Sequence, residues 1–380
     1  MKFLINMPLS PVLATCGNDT IIEVAAGEAF IGEPMVELGV FKTFWDRRQN
    51  DGRWQIVGMK GISLKPQTPS DGDCFAIQNE IVLVQGAPII GTIQSILGSS
   101  IVPVVAAVAG ENVVRCIGTA FFISCTGLLI TAAHVITDPI EREYGDVVEL
   151  EDFNVYGRKL NFGVLVPNNP VFQPRGYRFF PFEWSAFLAE RREDPLRLFG
   201  LDLRLNSDVA LCKVAMPPNG PPHQPLTVVQ AGIQGIGMGV GSNAIALGYA
   251  GMSEEILLSD RREIIGDPSF RLHVSVGGIT EQYPDNALNQ TVSTPGPCFA
   301  FSARIAGGMS GSPIFDREGI YVHGVVSKGL QDETGIAKVG FGSMLAPSMW
   351  LSIGKMNGRN LKQIQESHDE GMPILRGAGL

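Results

Sequence analysis

The 380-residue chain is short of charge: Asp, Glu, Lys and Arg make up only 18% of it, and acids outnumber bases 38 to 29. No long basic run exists, which argues against a nucleic-acid binder built on phosphate contacts while leaving room for a local patch. No Cys-x-x-Cys pair occurs, so zinc ribbons and dithiol redox motifs have no support. The six cysteines, Cys16, Cys74, Cys116, Cys125, Cys212 and Cys298, are too sparse for a disulfide framework. Cys125 and Cys212 fall in apolar runs, where buried free thiols are common, and a reducing, cytoplasmic setting is expected. The five histidines include no His-Glu-x-x-His and no close pair, so a metal hydrolase has no ligand set. Internal repeats and low-complexity tracts are absent as well.

Two segments imitate targeting or membrane signals. The start, MKFLINMPLSPVLATCG, carries one positive charge, an apolar stretch and a late cysteine, in the manner of a lipoprotein leader. Asn6, Pro8, Ser10 and Pro11 break the apolar stretch, so export or lipid anchoring is the alternative rather than the leading reading. Residues Ile81 to Gly110 contain no charge and are long enough to span a bilayer. Gln85, Pro88, Gln94, Ser99, Ser100 and Pro103 interrupt them, and the short Val/Ile-rich pieces read as consecutive buried strands. No membrane association is expected.

Apolar residues are abundant at 45%, with 45 glycines and 25 prolines scattered among them. Such a chain can bury a sizeable core, and its punctuation suits strands and loops better than a helix bundle. Residues 1–95 hold short apolar runs split by a polar stretch at 65–73 and read as an N-terminal β-rich accessory region. From about residue 100, strands recur roughly every 10–15 residues, the texture of an all-β sandwich or barrel. They are expected at Ile101–Val108, Cys116–Ser124, Leu128–His134, Val209–Val214, Asn243–Gly248, Arg271–Val276, Pro313–Phe315 and Gly319–Ser327. Residues 138–206 read as an insertion between the third and fourth of these. A short helix is predicted there over Glu183–Asp194, from apolar residues at 184, 187 and 188 and the stop at Pro195. The insertion's aromatics, Tyr177, Phe179, Phe180, Trp184 and Phe187 among them, are expected to serve its packing. The tail 354–380 is too short for another domain and is expected to end the fold with a short helix.

Three motifs stand out: Thr131-Ala132-Ala133-His134 after an apolar strand, Asp208-Val209-Ala210-Leu211 opening one, and Gly307-Gly308-Met309-Ser310-Gly311-Ser312-Pro313. Singly each has an ordinary structural reading, as a strand end or a turn. Together, in the order His, Asp, Ser, they supply what a hydroxyl nucleophile needs. A serine is a poor nucleophile until a neutral imidazole accepts its proton. A buried carboxylate holds that imidazole in the right tautomer. Glycines around the serine let backbone N–H groups, here those of Gly308 and Ser310, converge on a developing oxyanion. Only a tertiary fold can gather residues so far apart.

At these residues the chain resembles the trypsin-like, chymotrypsin-fold serine peptidases. Gly118-Thr119-Ala120-Phe121 with Thr131–His134 is similar to the family's histidine motif, Asp208–Leu211 to its aspartate motif, and Gly308–Pro313 to its serine motif. Gly241–Tyr249 resembles the Gly-bounded strand between Asp and Ser, and Gly324-Val325-Val326-Ser327-Lys328-Gly329 the strand that pairs with substrate backbone. The resemblance implies an all-β, chymotrypsin-like double β-barrel over residues 96–353, an endopeptidase with His134, Asp208 and Ser310 as its triad, no cofactor, and a protein or peptide substrate. Met309 stands where animal trypsins carry the aspartate that captures a new N-terminal amine, so activation by chain cleavage is not expected. The tail leaves no room for a PDZ module, which points to the glutamyl-endopeptidase-like and HtrA-core branch. By motif spacing the specificity pocket would have Arg304 at its floor and Ser327, Lys328, Gly329 and Gly340–Phe341 on its walls. Arg304 would suit an acidic side chain; the alternative is that it points to solvent. An α/β-hydrolase is disfavoured because its triad runs Ser, acid, His. A silent, peptidase-fold binding module is the remaining alternative.

Overall fold

In a computed structural model, the chain is described over residues 98–372 except 109, 145–147, 152–153, 158–159, 169–175, 193–201, 218–222, 229–237, 253–254, 267–269, 271, 284–293, 317–320, 332–336 and 368. Short backbone segments between residues 14 and 92 are described in addition. The leader-like start and the accessory role given to residues 1–95 otherwise lie outside the described residues. One of those short segments, Cys74–Ala76, pairs antiparallel with His273–Ser275.

Six strands come from the first half of the described chain: β1 (Ile101–Val108), β2 (Val113–Phe122), β3 (Leu128–Thr131), β4 (Leu160–Pro167), β5 (Tyr177–Arg192) and β6 (Asp202–Val214). They pair in the order β1-β4-β5-β6-β3-β2, and β2 pairs back to β1, so the sheet closes. Helix α1 (Ala133–Tyr144) follows β3. A second set follows: β7 (Asn243–Tyr249), β8 (Leu272–Tyr283), β9 (Cys298–Phe301), β10 (Pro313–Asp316), β11 (Tyr321–Gln331) and β12 (Ala337–Met344). These pair in the order β7-β8-β9-β12-β11-β10, with β10 returning to β7. The same winding therefore occurs twice, and each barrel removes its sheet edges by closure. Short helices α2 (Ala346–Trp350) and α3 (Leu361–Ser367) end the fold.

The alternation of side chains explains the core. Along β1, Val102, Val104 and Ala106 enter a cluster confined to the first barrel, with Phe122, Leu129 and Cys212. Ile101, Val105 and Ala107 face the other way, into a cluster that also holds Ile245, Leu247 and Tyr249 of β7. On β7 the intervening Ala244 and Ala246 fill the second barrel with Phe301, Met309 and Ile314. Strands buried on both faces read as unbroken apolar runs, and each fully buried Val, Leu, Ile or Phe contributes about 1.5–3 kcal/mol.

Three expectations are corrected. Residues 138–206 are not simply an insertion, because they supply β4, β5 and the start of β6, three members of the six-stranded circuit. Glu183 to Arg192 continues β5 as strand rather than helix. Bulges at Phe182/Trp184 and Phe187/Ala189 against β6 disturb strict alternation, so apolar spacing imitates a helical stripe while the backbone is paired across the sheet. Tyr177, Phe179 and Trp184 are buried in the interbarrel cluster and Phe180 and Phe187 inside the first barrel, the packing role expected of them. Strand β3 ends at Thr131, and His134 lies in the first turn of α1 rather than in the strand. Of the uncharged stretch, Ile101–Val108 is a barrel strand, and no helix among the described residues is long and apolar enough to cross a membrane.

Candidate active site

Four segments converge where the barrels meet: the start of α1, the middle of β6, the loop from β9 to β10, and β11. Gly118 on β2 sits at their junction. A Cβ there would stand 2.8 Å from the methyls of Val135, beside His134, and 3.0 Å from the carbonyl of Ser310. The close approach of the histidine and serine segments thus depends on its missing side chain.

Asp208 is fully buried and His134 nearly so. The His134 ring donates Nδ1–H to Asp208 Oδ2 at 2.7 Å, which leaves Nε2 as its acceptor face. The His134 backbone N–H, one of the unpaired donors at the start of α1, donates to Asp208 Oδ1 at 2.9 Å. A third donor is the buried hydroxyl of Ser327, also directed at Oδ2. Burial works to raise the Asp208 pKa, but the imidazole and these donors outweigh it and hold the carboxyl below its ordinary range. For His134, burial works to lower the pKa. The charge and hydrogen bond of Asp208 prevail and raise it, helped by Asp138 and opposed by Lys328. Asp138 stands one turn further along α1.

Ser310 follows a tight turn. Met309 N–H donates to the Ala306 carbonyl at 3.2 Å, and Gly308, third in the turn, has φ +96°. That is a type II turn, which requires a positive φ at this place. A Cβ on Gly308 would lie 3.0 Å from the Tyr249 carbonyl, so glycine is needed on both counts. The N–H groups of Gly308 and Ser310 donate to no described protein group, whereas those of Met309, Gly311 and Ser312 are all engaged. Met309 is fully buried in the second barrel's core and anchors the turn with an apolar side chain.

Thr119 of β2 braces this turn. Its N–H donates to the Ser310 carbonyl at 2.8 Å. Its hydroxyl donates to the Gly308 carbonyl at 3.0 Å and accepts from the Tyr249 N–H at 3.0 Å. The Ser310 hydroxyl donates to the Ser327 carbonyl at 3.1 Å and makes no hydrogen bond to His134.

Of the residues expected to form a specificity pocket, Arg304 is exposed, and its backbone carbonyl accepts from the Ser275 hydroxyl. Gly340 pairs with Gly329 and is covered by neighbours: a Cβ on it would stand 2.8 Å from Ile305 and 2.9 Å from Phe301. Ser327 turns its side chain to Asp208 rather than to a pocket wall, and its hydroxyl also lies 3.2 Å from that of Thr294. Sequence reasoning missed the parts played by Thr119, Thr294 and the Ser327 side chain. Thr119 and Ser327 fell inside quoted motifs, whereas nothing in the sequence marks Thr294. No cluster of metal ligands occurs among the described residues.

Residues 118–322 match the trypsin-like peptidase domain, more than half the chain, and the protein belongs to that family. Comparison with curated proteins finds no significant sequence match. Among solved structures the chain is similar to Deg5, at 14% identity over 67% of this chain and 87% of that one, with a TM-score of 0.39. It is also similar to the protease domain of MamO from Magnetospirillum magneticum, at 14% identity, 66% and 94% coverage and a TM-score of 0.36. A third is an inactive form of Rv3671c from M. tuberculosis, at 18% identity, 78% and 100% coverage and a TM-score of 0.34.

Proposed function

We propose that the protein is a serine endopeptidase acting through Ser310, His134 and Asp208. The observation that carries the reading is the Asp208–His134 pair, with Nε2 left as its acceptor face, next to a glycine turn whose Gly308 and Ser310 N–H groups donate to no described protein group. An extended peptide would add as a strand along Ser327–Gly329. Its N–H would compete for the Ser327 carbonyl, on which the resting Ser310 hydroxyl is held. Displaced, that hydroxyl rotates about its Cα–Cβ bond toward Nε2; looser geometry without substrate is usual for such sites.

Attack then forms the Ser310 Oγ–carbonyl carbon bond as the hydroxyl proton passes to Nε2, and the oxyanion is held by the two free N–H groups. Asp208 stabilises the imidazolium without itself taking a proton. The imidazolium gives its proton to the departing amine as the peptide bond breaks. Water, deprotonated by His134, releases the acyl group. The chemistry calls on no cofactor.

A second reading, a catalytically silent binding module, draws on one observation: Ser310 faces Ser327 and not His134. Intact mass after treatment with a fluorophosphonate probe decides between them. A single adduct on the wild type that is absent from Ser310→Ala supports the peptidase. Folded wild-type protein that takes no adduct supports the silent module.

A further inference from the structure

The cleft holds a cation that the triad does not use. Ser327 and Lys328 are both set against one residue of β12: Val326 pairs with Gly342 and Gly329 with Gly340, so the two form a bulge opposite Phe341. Backbone pairing from the β10 side reaches Val326, whose N–H donates to the Ser312 carbonyl at 2.8 Å, and among the described residues no strand pairs with the edge from Ser327 onward on the side of Ser310. The Ser327 side chain points inward to Asp208. Lys328 follows it on the same edge, next to the residue whose carbonyl holds the Ser310 hydroxyl. Lys328 is half-buried and makes no ion pair with any described residue, and its charge acts on the His134 imidazole.

We propose that Lys328 selects substrates with an acidic side chain immediately before the residue that is cleaved. This rests on the peptidase reading and follows from register. A peptide paired antiparallel along this edge, with its scissile residue opposite Ser327, sets the preceding residue opposite Lys328. Directly opposed residues put their side chains on one face of a sheet. That side chain would lie between the ammonium and the His134 ring. Asp138, whose charge acts on the imidazole from α1, makes no ion pair with Lys328. A half-buried ammonium with no ion-pair partner among the described residues suits a carboxylate.

The test uses quenched-fluorescent peptides identical except for Glu, Gln or Lys at that position. For the wild type, kcat/KM is expected to favour Glu over Gln by about fivefold, the size of a partly exposed ion pair, and the preference should shrink as salt is raised. Lys328→Gln should level the series and Lys328→Glu should reverse it in favour of Lys. The same peptides are then titrated against Ser310→Ala by fluorescence anisotropy. A Glu preference in binding that disappears in the Ser310→Ala, Lys328→Gln double variant supports the role of Lys328 even when the wild type hydrolyses nothing, an outcome that removes the peptidase reading alone. Equal turnover or equal binding of the Glu and Gln peptides overturns the role of Lys328, as does a Glu preference that survives in Lys328→Glu.

Discussion

Thr119→Val tests whether the turn before Ser310 is held from the first barrel. The substitution keeps shape and removes one hydroxyl. Two hydrogen bonds go with it: the one to the Gly308 carbonyl and the one received from the Tyr249 N–H, each 3.0 Å. Thr119 and Tyr249 are fully buried, so water cannot replace the lost partner. An unsatisfied buried N–H costs about 1–3 kcal/mol, and the carbonyl bond about 1 more. Stability should therefore fall by about 2–4 kcal/mol, or about 2.5–5 °C in Tm for a protein of this size. Catalysis should fall separately. Losing a whole oxyanion donor costs about 100- to 1000-fold in kcat; loosening one that stays in place should cost about 10- to 100-fold, with KM little changed. Thr119→Ser, which retains the hydroxyl, should recover most of kcat. Urea unfolding followed by tryptophan fluorescence measures the first quantity, and peptide hydrolysis well below Tm the second. A Thr119→Val protein that keeps wild-type kcat would refute the bracing argument, whatever its stability.

Two predictions concern protons. In the proposed mechanism His134 must be neutral to accept the Ser310 proton, and its pKa is raised, so kcat/KM should fall with decreasing pH through a midpoint above the ordinary histidine value of about 6.5. Lys328→Gln should move that midpoint higher, since the ammonium opposes the shift; a pH–rate profile with its acid limb below 6.5 contradicts the assignment. His223 behaves in the opposite sense. It is stacked on Phe122 at 4.1 Å and donates Nε2–H to the Ala215 carbonyl at 3.1 Å, and burial pushes its pKa down to about 4. The unfolded chain binds this proton near pH 6.5, so stability is lost as pH falls from there toward 4, by up to about 3 kcal/mol. Asp208, whose pKa is lowered, loses its contribution only below that window, and the raised His134 loses its own only above pH 6.5. Urea midpoints that stay level between pH 6.5 and 4.5 would rule the His223 argument out.

The legibility of the fold varied with the kind of signal. β1 lies where Ile101–Val108 was read, because a strand buried on both faces leaves an unbroken apolar run. β5 was misread because its two bulges shift the apolar residues out of alternation and into helical spacing. β3 was read three residues too long because the helix after it begins on apolar residues and is capped by a carboxylate from a distant strand.

The sequence by itself determined the chemistry on offer: which side chains can accept a proton, carry a buried charge or attack, and where glycine frees the backbone. The glycine turn before Ser310 was legible because a turn is local, and its residues are neighbours in the chain. Tertiary structure alone decided that Ser327 aims its hydroxyl at Asp208, that Thr119 braces Gly308, and that Lys328 finds no ion-pair partner among the described residues. Those relations join strands far apart in the chain, through closure of two barrels and the direction each side chain takes from its register. Local propensity carries no information about either.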